Sequence, residues 1–267
     1  MDDPDEMLAL PRSVLLALWL HGLAPGSTSV RRAVRAVEGD DEPHMVSGAP
    51  ALVADGGTLE ELLSLWTAAP CDAAALLPVP GDVSGLSPVV ADLAVDAGEV
   101  VLVHAGGRSW AAVPDVVSFG SALEQGHLVT WQLHEVPDWR HALPGAVGTL
   151  SEAEQSLRHA LREATEALAQ LDVARWRPDA ATAIVALRSD ADPGWPLPDG
   201  LAPRSVRVLA SALRLRAIVS LATSDDGGAV NLWQADQRSA ALRHIDHAAR
   251  RAVAAATVAA GQARTDR

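Results

Sequence analysis

The chain has no lysine and no tyrosine, and among its 267 residues only one phenylalanine and one cysteine. Without lysine there is no Schiff-base nucleophile, no P-loop cation and no kinase-type lysine. The lone Cys71 excludes an internal disulfide and a multi-cysteine metal site. It stands between Pro70 and Asp72. A neighbouring carboxylate disfavours the thiolate, so the sequence predicts a buried or half-buried thiol. No apolar run approaches the roughly 18 residues of a membrane span. The acidic start, MDDPDEM, lacks the basic region of a signal peptide, and the expectation is a soluble cytoplasmic protein. Also missing are G-x-S-x-G, H-E-x-x-H, G-x-x-x-x-G-K-[ST], C-x-x-C and a G-x-G-x-x-G after a strand. The scarce residue types are those with AT-rich codons, the mark of a GC-rich coding sequence.

What is present is alanine, leucine, valine, arginine and tryptophan. Apolar residues make up 49% of the chain, enough to bury a core. The net charge is −13 and unevenly placed: residues 1–148 hold 20 acids against 6 arginines, residues 149–267 hold 14 against 15. An acidic chain without a basic block is a poor nucleic-acid binder. The asymmetry instead suits an acidic half docking on an arginine-bearing one, within the chain or between copies. A third use would be mimicry of a nucleic acid toward a basic partner protein.

The clearest element is Thr149–Asp179. Thr149 and Ser151 each have a glutamate three residues on, so a capping box is available at either register. Leu157, Leu161, Ala164, Leu168 and Leu171 recur at helical spacing. Pro178 ends this unit and opens a shorter helix. Further helices are predicted over Pro203–Ala222 and Leu232–Ala260, the latter with Leu242, Ile245, Ala249, Val253 and Ala256 as its seam. Upstream, Pro11–His21 reads as a buried helix, residues 30–37 as an amphipathic one, and Thr58 caps a third. Strands are expected within Ala49–Val53, Ala73–Val79, Glu99–His104, Ser109–Val113 and Leu128–Val136, with a hairpin between the third and fourth. The fold class is therefore α+β. A helical lead and a small, mainly antiparallel sheet of about four strands (1–148) pack on a helical bundle (149–262). A proline-rich connector spans 189–203 and a frayed tail 263–267.

Candidate chemistry is thin, and no catalytic set is assigned. Val79–Leu86 is a strand-end loop carrying Asp82 and Ser84, but no histidine is placed beside them. His104 and His134 can share a sheet face, with Arg108 and Glu135 nearby. A cleft enzyme requires Asp82, His104, Arg108 and His134 to converge. His244 and His247 sit one helical turn apart with Asp246, but arginines surround them and no local ligand completes a metal site. Asp190 and Asp192 read as a solvated loop, and the Asp225–Gly228 turn as a helix stop followed by a cap. Arg175, Trp176 and Arg177 form a basic-aromatic knot, and Arg204, Arg207 and Arg214 a basic helix face. These six are the candidate contacts for the acidic half or a partner.

The segments PRSVLLALWL and LDVARWRPD resemble an uncharacterised family of proteins from high-GC bacteria, over most of the chain. The resemblance implies no activity. The functional expectation is a non-catalytic interaction or regulatory protein, acting on a protein partner or by self-association, without cofactor, metal, nucleic acid or membrane. The alternative is a metal-independent small-molecule enzyme or ligand-binding protein with a cleft near Asp82, His104, Arg108 and His134.

Overall fold

A computed structural model describes residues 8–23, 29–121, 124–170, 194–223 and 232–265. The fold is α+β. In chain order come α1 (Arg12–Gly22), α2 (Val30–Glu38), β1 (Met45–Ser47), β2 (Gly57–Thr58), α3 (Leu59–Trp66), β3 (Asp72–Leu76), α4 (Ala91–Ala97), β4 (Val100–Ala105), β5 (Arg108–Ser121), β6 (Glu124–Val136), α5 (Leu143–Val147), α6 (Leu150–Gln170), α7 (Pro203–Thr223) and α8 (Leu232–Thr265). The sheet has six strands in the order β2-β1-β6-β5-β4-β3. Only the β1–β6 pairing is parallel.

The sheet exceeds the expected four strands because its edge is built from very short pieces. β1 and β2 lie on either side of Ala49–Val53, the predicted strand, which instead turns back through backbone bonds to Ala49. Two or three residues cannot show an alternating pattern. The larger departure is the β5–β6 hairpin. β4 covers β5 only as far as Ala112, and β1 covers β6 only from Thr130 to Gln132. Beyond these limits the two strands continue as a two-stranded arm, pairing from Val116↔Val129 out to Ser121↔Glu124.

Strand alternation sorts the arm's side chains. Asp115, Val117 and Phe119 share one face with Thr130, Leu128 and Gly126, their direct partners. Val117 is 54% exposed, Phe119 44% and Leu128 51%. Phe119 is the chain's only phenylalanine. Its ring lies over Gly126, where a Cβ would meet it at 2.5 Å.

One sheet face carries Ala74, Val100, Leu102, Ala111, Val113 and Val136 beneath α4, α5 and Trp139. The other carries Ala73, Ala75, Val101, Val103, Trp110, Ala112, Trp131 and Leu133 against α1 and α8. Its core is continuous with the α6–α7–α8 seam, so Leu16, Trp66 and Trp131 belong with Leu209, Ile245 and Val253. α8 is therefore shared by sheet and bundle. All five residues of its predicted seam are buried.

Local capping follows the sequence. Thr58 and Glu61 form a reciprocal box at α3. At α6 the register is that of Thr149: Glu152 Oε2 accepts from Thr149 N at 2.7 Å, and Glu152 N donates to Thr149 Oγ1. In the described part of α6 the predicted Leu157 is buried together with Ala153 and Ala160, while the predicted Leu161 is exposed. Leu161 lies instead along an open groove between α6 and α7. The connector's described part is strapped down: Trp195 Nε1 donates to Leu8 O at 2.8 Å and Trp19 Nε1 to Pro196 O at 2.9 Å. α8 runs through Gly261, which lies against the His21 ring, and continues to Thr265. The helix expected after Pro178 lies outside the described residues, as do Asp190, Asp192 and Asp225–Gly228. No helix among the described residues is long and apolar enough to cross a membrane.

Candidate functional site

β3 ends in the turn Val79-Pro80-Gly81-Asp82. Asp82 N donates to Val79 O at 2.9 Å, and Gly81 has φ +84°. Proline then glycine is the order a type II turn requires. The turn aims Asp82 at α8. There Arg250 Nη1 donates to Asp82 Oδ2 at 2.8 Å, and His247 Nδ1 lies 2.8 Å from the same oxygen. Ser84 Oγ donates to Asp82 Oδ1 at 2.9 Å. Arg250, 7% exposed, also donates to Asp246 and to the Leu77 carbonyl. Asp246 in turn accepts from Arg216.

Burial pushes the Asp82 carboxyl up, but its bonds from His247, Ser84 and Arg250 outweigh that and hold it well below the usual carboxylate range. Asp82 is thus an anion under ordinary conditions. An anion at Nδ1 favours the tautomer that carries its proton there. The Nε2 atom of His247 has no partner among the described residues, and the side chain is 39% exposed. The adjoining cavity, between Asp82, Ser84, Leu86, Val147 and Arg251, holds only about 30 Å³.

The sequence singles out Asp82 but places no histidine beside it. His247 supplies one from 165 positions away. Asp246, the residue before it, pairs with Arg250 four residues on, as the i,i+4 spacing predicts. No group of three or more metal-type ligands occurs among the described residues.

The other predicted residues do not join this site. His104 and His134 share a sheet face, since Leu102, Ala111 and His134 are in register and His104 is two residues from Leu102. They are separated by β5. His104 Nδ1 lies 2.8 Å from Ser109 Oγ, and His134 Nε2 is buried without a partner among the described residues. Arg108 lies on the opposite face, stacked 4.7 Å from the Trp110 ring and paired with Glu135 at 2.9 Å. The four residues of the predicted cleft therefore occupy three separate places.

Among the arginines, Arg204 turns to its own half rather than the acidic one, donating to Glu154 Oε2 at 2.7 Å and Ser151 Oγ at 2.9 Å. Arg207 lines a groove between α6 and α7. Arg214 stands on α7. Arg175, Trp176 and Arg177 lie outside the described residues. The docking of the acidic half falls instead to α8, through His247 and Arg250.

A second polar network pins α1 to the sheet. Arg12 holds Asp41 through two bonds, at 2.6 and 2.8 Å. His44 Nε2 donates to Asp41 at 3.0 Å, and Trp131 Nε1 donates to His44 Nδ1 at 3.1 Å. An accepting Nδ1 carries no proton, so this buried ring is neutral. Burial, opposed by Asp41, holds its pKa below the ordinary 6.5. With both nitrogens engaged, His44 is a structural bolt.

No curated protein and no solved structure matches the chain significantly. Two family models do, one for the N-terminal domain over residues 13–146 and one for the C-terminal domain over residues 151–254. The chain belongs to the Rv1486c-like protein family, which has no assigned activity.

Proposed function

We propose that this is a non-catalytic interaction protein whose contact element is the β5–β6 arm. The observation that carries this reading is the exposed Val117, Phe119 and Leu128 on one face of a two-stranded extension. Among the described residues, its β6 edge is tied to the body only at His127, by the bond from Glu42 N to its carbonyl and by its ring beside Asp41. A flat apolar edge invites pairing and is normally shielded by lysine, a bulge or a covering element. Here there is no lysine, and the whole of Asp115–Ser121 is exposed. The polar clusters support the same reading from the other side. Asp82 is saturated by three donors, and the cavity beside it has room for about one water molecule.

The test is the native size of the protein in gently prepared extract of its source cell. The wild type is expected in a species larger than one chain. The double substitution Val117→Ser, Phe119→Ser is expected to return it to monomer size. A chain that runs as a monomer with its arm intact would sink the reading.

One observation favours a second reading, that of a small-molecule enzyme. His247 is held at Nδ1 by a carboxylate with Nε2 open, the arrangement of a general base. A stabilising shift in thermal unfolding with one class of metabolite, lost in His247→Ala, would turn the assignment to that site. A flat panel leaves the arm as the functional element.

A further inference from the structure

Resting on the interaction reading, we propose that the arm's occupant is a second copy of this chain, and that the arm seats in the groove between α6 and α7. The arm face is patterned. Asp115 stands at its base, Val117, Leu128 and Phe119 in the middle, and Glu124, opposite Ser121, at its tip. The acids are separated by six residues of strand, about 20 Å at 3.4 Å per residue. No arginine or lysine lies anywhere between Asp115 and Leu128.

The groove carries the complementary pattern. It is about 290 Å³, with Leu157, Leu161, Val208 and Leu215 along it and Arg158 and Arg207 among its walls. Leu161 is 47% exposed, the side chain that departs from the α6 seam. Among the described residues that line it Glu154 is the one acid, and Arg204 already holds it. Arg158 and Arg207 both lie close enough to favour Glu154's charged form, yet neither has a carboxylate of its own among the described residues. The groove is thus apolar and in cationic surplus, while the arm is apolar and acidic. Both surfaces belong to the same molecule.

Arm to groove is a heterologous contact. Reciprocal exchange about a two-fold axis makes it closed, with two copies of the contact per dimer. Desolvated apolar side chains would supply most of the affinity, and the charged ends would set register and partner choice.

The experiment is sedimentation of the full-length purified chain over a range of concentrations. Two variants accompany it: an arm variant (Val117→Ser, Phe119→Ser) and a groove variant (Arg158→Glu, Arg207→Glu). All four substituted residues are exposed, and a single cooperative unfolding transition confirms that each variant folds. The wild type is expected as a dimer. Each variant alone is expected to weaken self-association by about tenfold or more. Mixing the two is expected to restore a dimer, because each mixed pair retains one intact arm facing one intact groove. A monomeric wild type overturns the second-copy proposal while the extract experiment still judges the arm as a contact element. A groove variant that dimerises like wild type, with the arm variant monomeric, overturns the groove as the seat. Failure of the mixture to restore association does the same.

Discussion

Asp82 decides whether Arg250 can stay where it is. The guanidinium is nearly closed off from water, and it spans Asp82, Asp246 and the Leu77 carbonyl. Removing one partner of a buried charge leaves the other uncompensated, which costs more than the pair was worth. Asp82→Asn is therefore expected to lower stability by about 2–3 kcal/mol, below the full figure for a broken buried pair because Asp246 remains. His247→Ala touches only the exposed end of the same node and is expected to cost about 1 kcal/mol or less. Urea unfolding of the two variants separates them; equal costs would show that Arg250 does not depend on Asp82.

His44 gives a pH signature of the opposite kind from a salt-bridged histidine. Its folded pKa lies below the ordinary 6.5, so the unfolded chain takes up the proton first. Its contribution to stability is complete above that value and declines as pH falls through it. The unfolding midpoint is expected to drop between roughly pH 7 and 5, and His44→Gln is expected to flatten that slope. Glu99 acts in the reverse sense. Burial raises its carboxyl, opposed by the bond from Ser13 N at the start of α1. Stability linked to Glu99 is fullest below its ordinary pKa and is lost as pH rises toward the folded one. Glu99→Gln keeps the acceptor and removes the charge, and the variant is expected to match or exceed the wild type near neutral pH. A large loss there would mean that the charge, not the hydrogen bond, holds α1.

At the scale of elements, the helices were the legible part. Thr58 and Thr149 announced their own caps, and the 242–256 seam of α8 was visible as a repeat. The seam of α6 departs from the pattern at Leu161 because periodicity names a face but not its edge: Ala153, Leu157 and Ala160 are buried, while Leu161 stands at the groove beside α7. The arm was illegible for a different reason. Residues 114–127 include a proline, two glycines and several small polar residues, and past Pro114 none of those described is buried. Their order comes from the ladder of one strand on the other, not from a hydrophobic stripe. The Asp82–His247 contact was hidden because its two halves are 165 residues apart and neither carries a motif. The exposure of the arm's apolar face also predicts its energetics. Val117→Ser with Phe119→Ser is expected to change monomer stability by under about 1 kcal/mol, as surface changes do. A larger loss in chemical unfolding would assign the arm to the core.

For the whole molecule, the decisive fact is that one core crosses the line between the two family domains. α8 packs on β3 and α1 as well as on α6 and α7. The halves are thus expected to unfold in one transition, coincident by tryptophan fluorescence and far-ultraviolet circular dichroism. Separately expressed 1–148 and 149–267 are each expected to fail to fold, since each exposes a face the other covers. Two well-separated transitions in the intact chain would count against a shared core.

Phenylalanine occurs once, and it stands on the arm. A chain grown on fluorine-labelled phenylalanine therefore yields a single resonance with no assignment step. Whatever covers or uncovers the arm will move that one line.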